Sequence, residues 1–132
     1  MKIKYVVDAS ALLAVVLNEP YPEDLLDVFS ESIITTINLT EVLTVLARKY
    51  PSSDPEQIWS MVSNFIQHHY DVDSILAKKV LEISNVANDS GLSLGDKFCL
   101  ALGSYLHLPI YTGDHVWKQL ETELNVKINL IR

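Results

Sequence analysis

Asp8, Glu41, Asp96 and Asp114 are the residues of this chain whose type and placement could do chemistry. Asp8 follows the apolar run "YVV", and Asp114 stands just past another β-rich run in "PIYTGDHVW". Glu41 comes three residues after Asn38, so both polar groups can face the same way on a helix. Asp96 falls in the first turn of a helix that Ser93 would open. Taken singly, each acid has a structural explanation, because capping and the helix macrodipole favour carboxylates at helix starts. Together they occupy strand-to-helix transitions and first helical turns, places that can share one edge of a sheet. Acids converging there could bind a divalent metal, which reverses the local field and makes a phosphate welcome.

To put them there, the chain must alternate strands and helices. Ile3 to Val7 is a short β-rich run, followed by a helix with Ala11, Leu12, Val15 and Val16 on one face. Pro20 and Pro22 in "NEPYP" break it, and Glu23 to Ser30 reads as a second short helix. "SIITTI" is a β-branched strand, and the pattern turns helical from Asn38 or Leu39 to Tyr50. Ser53 or Asp54 caps the next helix, with Pro55 in its first turn and Gln57 at the reciprocal capping position. That helix carries Ile58, Met61, Val62, Phe65 and Ile66. "HHYDVD" reads as a strand, Ser74 to Asn88 as a helix ended by Gly91, and Ser93 caps a helix through Leu106. "LPIYT" is a strand, Asp114 opens a helix to Leu124, and "VKINLI" is a strand. Such alternation implies a mostly parallel sheet covered by helices on both faces, and in open sheets of this kind ligands bind at the carboxyl ends of the strands.

The 132 residues are expected to form a single domain, with the 48% hydrophobic and 20% charged content of a soluble globular protein. Lys2 and Lys4 precede an apolar segment, but Asp8 and Ser10 interrupt it and no small-residue cleavage site follows. No apolar run approaches membrane-spanning length, and the single Cys99 excludes an internal disulfide and a multi-cysteine metal site. A cytoplasmic protein is expected. The net charge of -7 argues against broad nonspecific binding to nucleic acid, unless metal at the acids offsets it.

The segments "VVDASALLAVVLNEP", "TTINLTEVLTVLARKY", "LSLGDKFCLALG" and "PIYTGDHVW" resemble, in order, the successive motifs of PIN-domain ribonucleases, particularly VapC-type toxins of toxin–antitoxin pairs. The resemblance spans nearly the whole chain; "LSLGD" and "TGD…W" are its specific parts, whereas "VVDAS" alone would be weak. It implies a three-layer α/β/α domain on a five-stranded, mostly parallel sheet and a metal-dependent endoribonuclease leaving a 5′-phosphate and a 3′-hydroxyl. It also implies a site built from Asp8, Glu41, Asp96 and Asp114, a VapB-type antitoxin partner and a homodimer.

Hydrolysing a phosphodiester requires an activated water and relief of negative charge in the transition state, both of which Mg²⁺ or Mn²⁺ supplies, and hard cations prefer carboxylate oxygens. Asp8 and Asp96 are assigned as direct metal ligands, with Glu41 and Asp114 completing the cluster and orienting the attacking water. Ser10 and Thr112 could support Asp8 or Asp114, and Asn38 could support Glu41 or cap its helix. Glu19 either approaches the site or is a solvated loop acid. Lys97, His115, Lys118 and Arg48 read as surface cations, His68 and His69 as strand-entry residues, and Cys99, Trp59 and Trp117 as packing residues. A phosphoacceptor receiver domain would need an acidic pair after the first strand and a Lys after the last. A haloacid-dehalogenase-like phosphatase would need a second acid at position 10, where Ser10 stands. The remaining alternatives are a solitary RNA-processing nuclease and a non-catalytic PIN-fold binding module.

Overall fold

Val6 and Val7 are fully buried neighbours whose side chains point to opposite faces of a strand, and each enters a different core. They belong to β1 (Tyr5–Val7), the middle strand of the sheet in a computed structural model that describes residues 2–87 and 91–132. The elements that follow are α1 (Ala9–Val16), α2 (Leu25–Phe29), β2 (Ser32–Thr35), α3 (Thr36–Lys49), α4 (Pro55–Ser63) and β3 (His68–Tyr70). After them come α5 (Ser74–Ala87), α6 (Leu94–Leu106), β4 (Ile110–Thr112), a 3₁₀ helix over His115–Leu120, α7 (Glu121–Leu124) and β5 (Ile128–Leu130).

The sheet runs β3-β2-β1-β4-β5, and all four pairings are parallel. Val6 pairs with Ile33 on one side and with Ile110 on the other. The chain winds one way from β1 to β2 and β3, then returns to the other side of β1 for β4 and β5. The order therefore reverses between β1 and β4, and the crevice at their carboxyl ends is the place where such sheets bind ligands.

Helices cover both faces. Val7 and Ile34 meet Leu12, Val15, Phe29, Val42, Leu46 and Val62 from α1 to α4. On the opposite face, Val6, Ile110 and Ile128 meet Leu76 of α5, Leu100 and Leu102 of α6, and Trp117. These are the three layers expected of the alternating pattern, and both cores close over short strands that are apolar on each side.

Several boundaries differ from the sequence reading, each for a local reason. The strand in "SIITTI" stops at Thr35, whose side chain caps α3 by accepting the Asn38 N–H at 3.0 Å. Asn38 is thus inside the helix and not its cap. "HHYDVD" pairs only over His68–Tyr70, because Asp73 turns to accept the Leu76 N–H at 2.9 Å and opens α5. The end expected at Asn88 lies outside the described residues, and Gly91 takes a left-handed φ of 69°. Asp114 does open a helix, but its first six residues are 3₁₀ before α7 begins.

Candidate active site

Asp8 stands one residue past β1 and is 5% exposed. Its backbone still follows the sheet, since its N–H donates to the Tyr111 carbonyl at 3.2 Å. Its carboxylate, however, already belongs to α1: Oδ1 accepts the Ala11 N–H at 3.0 Å and the Ser10 hydroxyl at 2.8 Å. Oδ2 accepts the Thr112 hydroxyl at 2.7 Å across the crevice between β1 and β4. Burial pushes this carboxyl up to about 6. The hydrogen bonds from Thr112, Ala11 and Ser10 oppose that rise, and the charge of Asp96 adds to it.

The end of β4 is tied to the same place. Thr112 Oγ1 accepts the Asp114 N–H at 3.0 Å while donating to Asp8. Ser10 Oγ in turn accepts the Gly113 N–H at 2.8 Å. Asp114 caps the 3₁₀ helix, accepting the Val116 N–H on Oδ1 at 3.0 Å. Two hydroxyls thus join the residues following β1 to the turn following β4.

The third wall is where α3 meets α6. Asn38, buried in the first turn of α3, receives the Thr35 hydroxyl on Oδ1 and donates through Nδ2 in two directions. One bond reaches Glu41 Oε1 at 2.8 Å, and the other reaches the Gly95 carbonyl at 3.1 Å. Glu41 lies so close over α6 that a Cβ placed on Gly95 would stand 2.5 Å from Oε1. The next residue, Asp96, forms a capping box with Ser93, its Oδ2 accepting the Ser93 N–H at 3.0 Å. Beneath them Cys99 is fully buried, and its thiol is pushed well above the ordinary range by burial first, then by the charges of Asp8, Asp96 and Glu41. The charges of these three carboxylates thus all reach one buried side chain below the carboxyl edge of the sheet, and Asp114 is linked to Asp8 through Thr112. Among the described residues, no three His, Cys, Asp or Glu side chains are gathered tightly enough to hold a metal by themselves.

A family model for the PIN domain matches residues 5–123. The chain belongs to the PIN-domain family. No curated protein matches this PIN domain in sequence. Its fold recurs in a chain of the DNA-bound VapBC structure from Salmonella typhimurium, with a TM-score of 0.74 at 20% identity over 96% of this chain and 97% of that one. A chain of VapBC2 from Rickettsia felis, bound to a DNA fragment from its promoter, matches with a TM-score of 0.69 at 14% identity over 97% and 98%. A toxin–antitoxin complex from Klebsiella pneumoniae gives 0.61 at 18% identity over 88% and 89%. At these identities the likeness speaks for the fold.

The remaining polar residues of this PIN domain divide by position. His115 is exposed beside Asp114, whereas Lys118 pairs with Glu121 at 3.2 Å and donates to the Ile128 carbonyl at 2.9 Å. Arg48 is exposed in the last turn of α3, and Lys97 is half-buried beside Asp96. Trp117 is fully buried, but Trp59 departs from the packing role: it is 40% exposed and meets the ring of His69 edge-on at 5.7 Å. Pro55, Glu56 and Ser60 near it on α4 are exposed whereas Ile58 and Val62 are buried, so Trp59 stands at the edge of the buried stripe. Sequence reasoning gave no place to Arg132. Its guanidinium lies over Gly113 and 3.9 Å from Glu19, so Glu19 comes to the rim of the site from the end of α1. Nothing in the sequence brings residues this far apart together; only the pairing of β4 with β5 does.

Proposed function

We propose that this PIN domain is an endoribonuclease that hydrolyses RNA phosphodiester bonds with the help of Mg²⁺ or Mn²⁺. The observation that carries the reading is the placement of Asp8 at the crevice between β1 and β4, bonded to Thr112, with Glu41 packed over Gly95 next to Asp96, in a chain of this family. The donor set suits a hard cation, since every candidate ligand is a carboxylate oxygen. Mg²⁺ keeps several of its waters and needs only one or two protein carboxylates, so a looser set than a closed cage is sufficient. Asp8 and Asp96 would hold the ion, with Glu41 and Asp114 around it. A cation bound there supplies neutralisation of the phosphoryl oxygens and acidifies water.

The chain's own part is positioning. Ser10 and Thr112 fix both oxygens of Asp8, and Thr112 keeps Asp114 in register with it. Asn38 holds Glu41 by Oε1, which leaves Oε2 to accept a hydrogen bond from the attacking water and orient it toward phosphorus. The water's oxygen bonds to phosphorus as it loses a proton to solvent, the bond to the 3′ oxygen breaks, and that oxygen takes up a proton from solvent, so that the products carry a 5′-phosphate and a 3′-hydroxyl. The test is cleavage of RNA by purified protein with Mn²⁺ or with chelator, beside Asp8→Asn and Asp96→Asn. Loss of cleavage in the chelated and substituted samples is expected; equal activity in all of them would sink the mechanism.

In the cell we read the nuclease as the cytoplasmic toxin of a VapBC-type pair, acting as a homodimer and neutralised by a VapB-type antitoxin. The fold it shares with chains of VapBC complexes supports this. So does an apolar groove of about 460 Å³ between α3 and α4, lined by Leu43, Ala47, Pro55, Ile58 and Trp59. Among the described residues no helix is long and apolar enough to cross a membrane. Expression should arrest growth, and a small open reading frame immediately upstream should encode the protein that relieves it. Absence of such a frame would favour a solitary RNA-processing nuclease.

A further inference from the structure

We propose that Arg132 contacts an RNA phosphate beside the acidic edge and that Glu19 is a weak partner which the phosphate displaces. The inference rests on the nuclease reading and gives that site a substrate-binding cation. With a net charge of -7, a cation beside the carboxylates favours the approach of the RNA backbone that they repel.

The geometry points to this residue. A Cβ placed on Gly113 would stand 3.1 Å from Arg132 Nη2 and 3.3 Å from Cζ, so the guanidinium covers that glycine. The same Cβ would stand 3.3 Å from Ser10 Oγ, which donates to Asp8 Oδ1 at 2.8 Å. Arg132 and the hydroxyl that orients Asp8 thus flank the same glycine. Its position is set by the sheet: Ile131, just before it, is buried and donates its N–H to the Thr112 carbonyl at 2.9 Å. Glu19 is fixed from the other side, where its N–H donates to the Ala14 carbonyl at 2.7 Å at the end of α1.

The ion pair itself is loose. At 3.9 Å between Nη1 and Oε1 it is too long for a hydrogen bond, and the two side chains are 45% and 48% exposed. A guanidinium carries five donors in a planar fork that matches phosphate, and it binds phosphate better than a carboxylate held at this distance. An ordinary surface pair would add little to stability and nothing to substrate binding. The two accounts therefore separate by experiment.

Steady-state cleavage of a single-stranded RNA oligonucleotide with Mn²⁺ would be measured for the wild type, Arg132→Gln, Arg132→Lys and Glu19→Gln. Binding of the same RNA to Asp8→Asn and to Asp8→Asn with Arg132→Gln would be followed by anisotropy between about 50 and about 200 mM salt. Arg132→Gln should raise KM about tenfold or more with kcat nearly kept, and Arg132→Lys should restore part of the loss. It should also lower the salt slope of binding by about 0.7, the share of one phosphate on a single strand. Glu19→Gln should lower KM by freeing the guanidinium and removing a negative charge. Unchanged KM and salt slope in Arg132→Gln would overturn the proposal while leaving the nuclease reading intact. A wild type that leaves RNA uncut with Mn²⁺ overturns the nuclease reading, whereas a smaller salt slope in the double variant still upholds the phosphate contact.

Discussion

Thr112 Oγ1 donates to Asp8 Oδ2 at 2.7 Å and at the same time accepts the Asp114 N–H at 3.0 Å. One buried hydroxyl, the side chain of the last residue of β4, thus fixes the acid that follows β1 and the acid that opens the 3₁₀ helix. Thr112→Val keeps the shape and removes both bonds. It leaves a partly buried N–H without its acceptor, which should cost about 1–3 kcal/mol. It should also raise the Asp8 pKa further, because the Thr112 bond is the strongest influence holding it down. Thr112→Ser should recover most of the stability. Urea midpoints of the three proteins check this, and a wild-type midpoint for Thr112→Val would remove the bridge from the account.

Asp8 makes stability depend on pH in an unusual direction. Its pKa is about 6 in the folded protein, against 3.8 for the free side chain, so between those values the native state holds more protons than the unfolded chain. Stability therefore falls as pH rises through that window, by about 3 kcal/mol once the carboxyl is fully charged. Asp8→Asn retains an N-capping side chain and never acquires the charge. Relative to wild type, it should gain stability from pH 4 to pH 7, within the range over which the Asp8 carboxyl ionises. Denaturation of both proteins across that range decides the matter; parallel stability curves would show that the burial of Asp8 carries no such cost.

The alternation of strands and helices and the positions of Asp8 and Asp114 were legible because period and turn chemistry are local. "YVVDAS" ends an apolar strand and starts a helix within a few residues, and "TGDHVW" does the same. Asn38 was harder, because "SIITTI" carries β-branched residues past the point where Thr35 caps α3. Its contact with the Gly95 carbonyl lies 57 residues away in sequence and depends on how α3 crosses α6, which no local pattern encodes. Arg132 and Glu19 were illegible for the same reason: their meeting needs β5 beside β4 and the end of α1 above both.

Cation binding can be measured without any RNA. An ion that binds only the folded state stabilises it by about 2.7 kcal/mol at a hundredfold excess over its Kd. Mn²⁺ should therefore raise the thermal midpoint, and a chelator should reverse the rise. The shift should be larger at pH 8 than at pH 5, because Asp8 must be charged to hold a cation and its pKa is about 6. Asp8→Asn and Asp96→Asn should lose the shift, with sodium at equal ionic strength as the control. An undiminished shift in Asp8→Asn would take that residue out of the ligand set.

Gly95 separates the needs of folding from those of the site. It is buried at the start of α6, and a Cβ there would meet Glu41 Oε1 at 2.5 Å and Cδ at 2.7 Å. Those atoms are the end of a flexible side chain, so the helix need not move; Glu41 can swing away at the loss of its bond from Asn38. Alanine is favoured over glycine in a helix by up to about 1 kcal/mol, which offsets much of that loss. Gly95→Ala should thus fold with a midpoint near wild type while cleavage falls by about a hundredfold, the size of effect that follows misplacement of the group that orients the attacking water. Glu41→Gln should give a comparable loss, and the double variant should be little worse than either alone, since both act through one carboxylate. Kinetics of the three proteins, beside their melting curves, test the relationship. Full additivity of the two losses would mean that Gly95 serves the site through something other than Glu41.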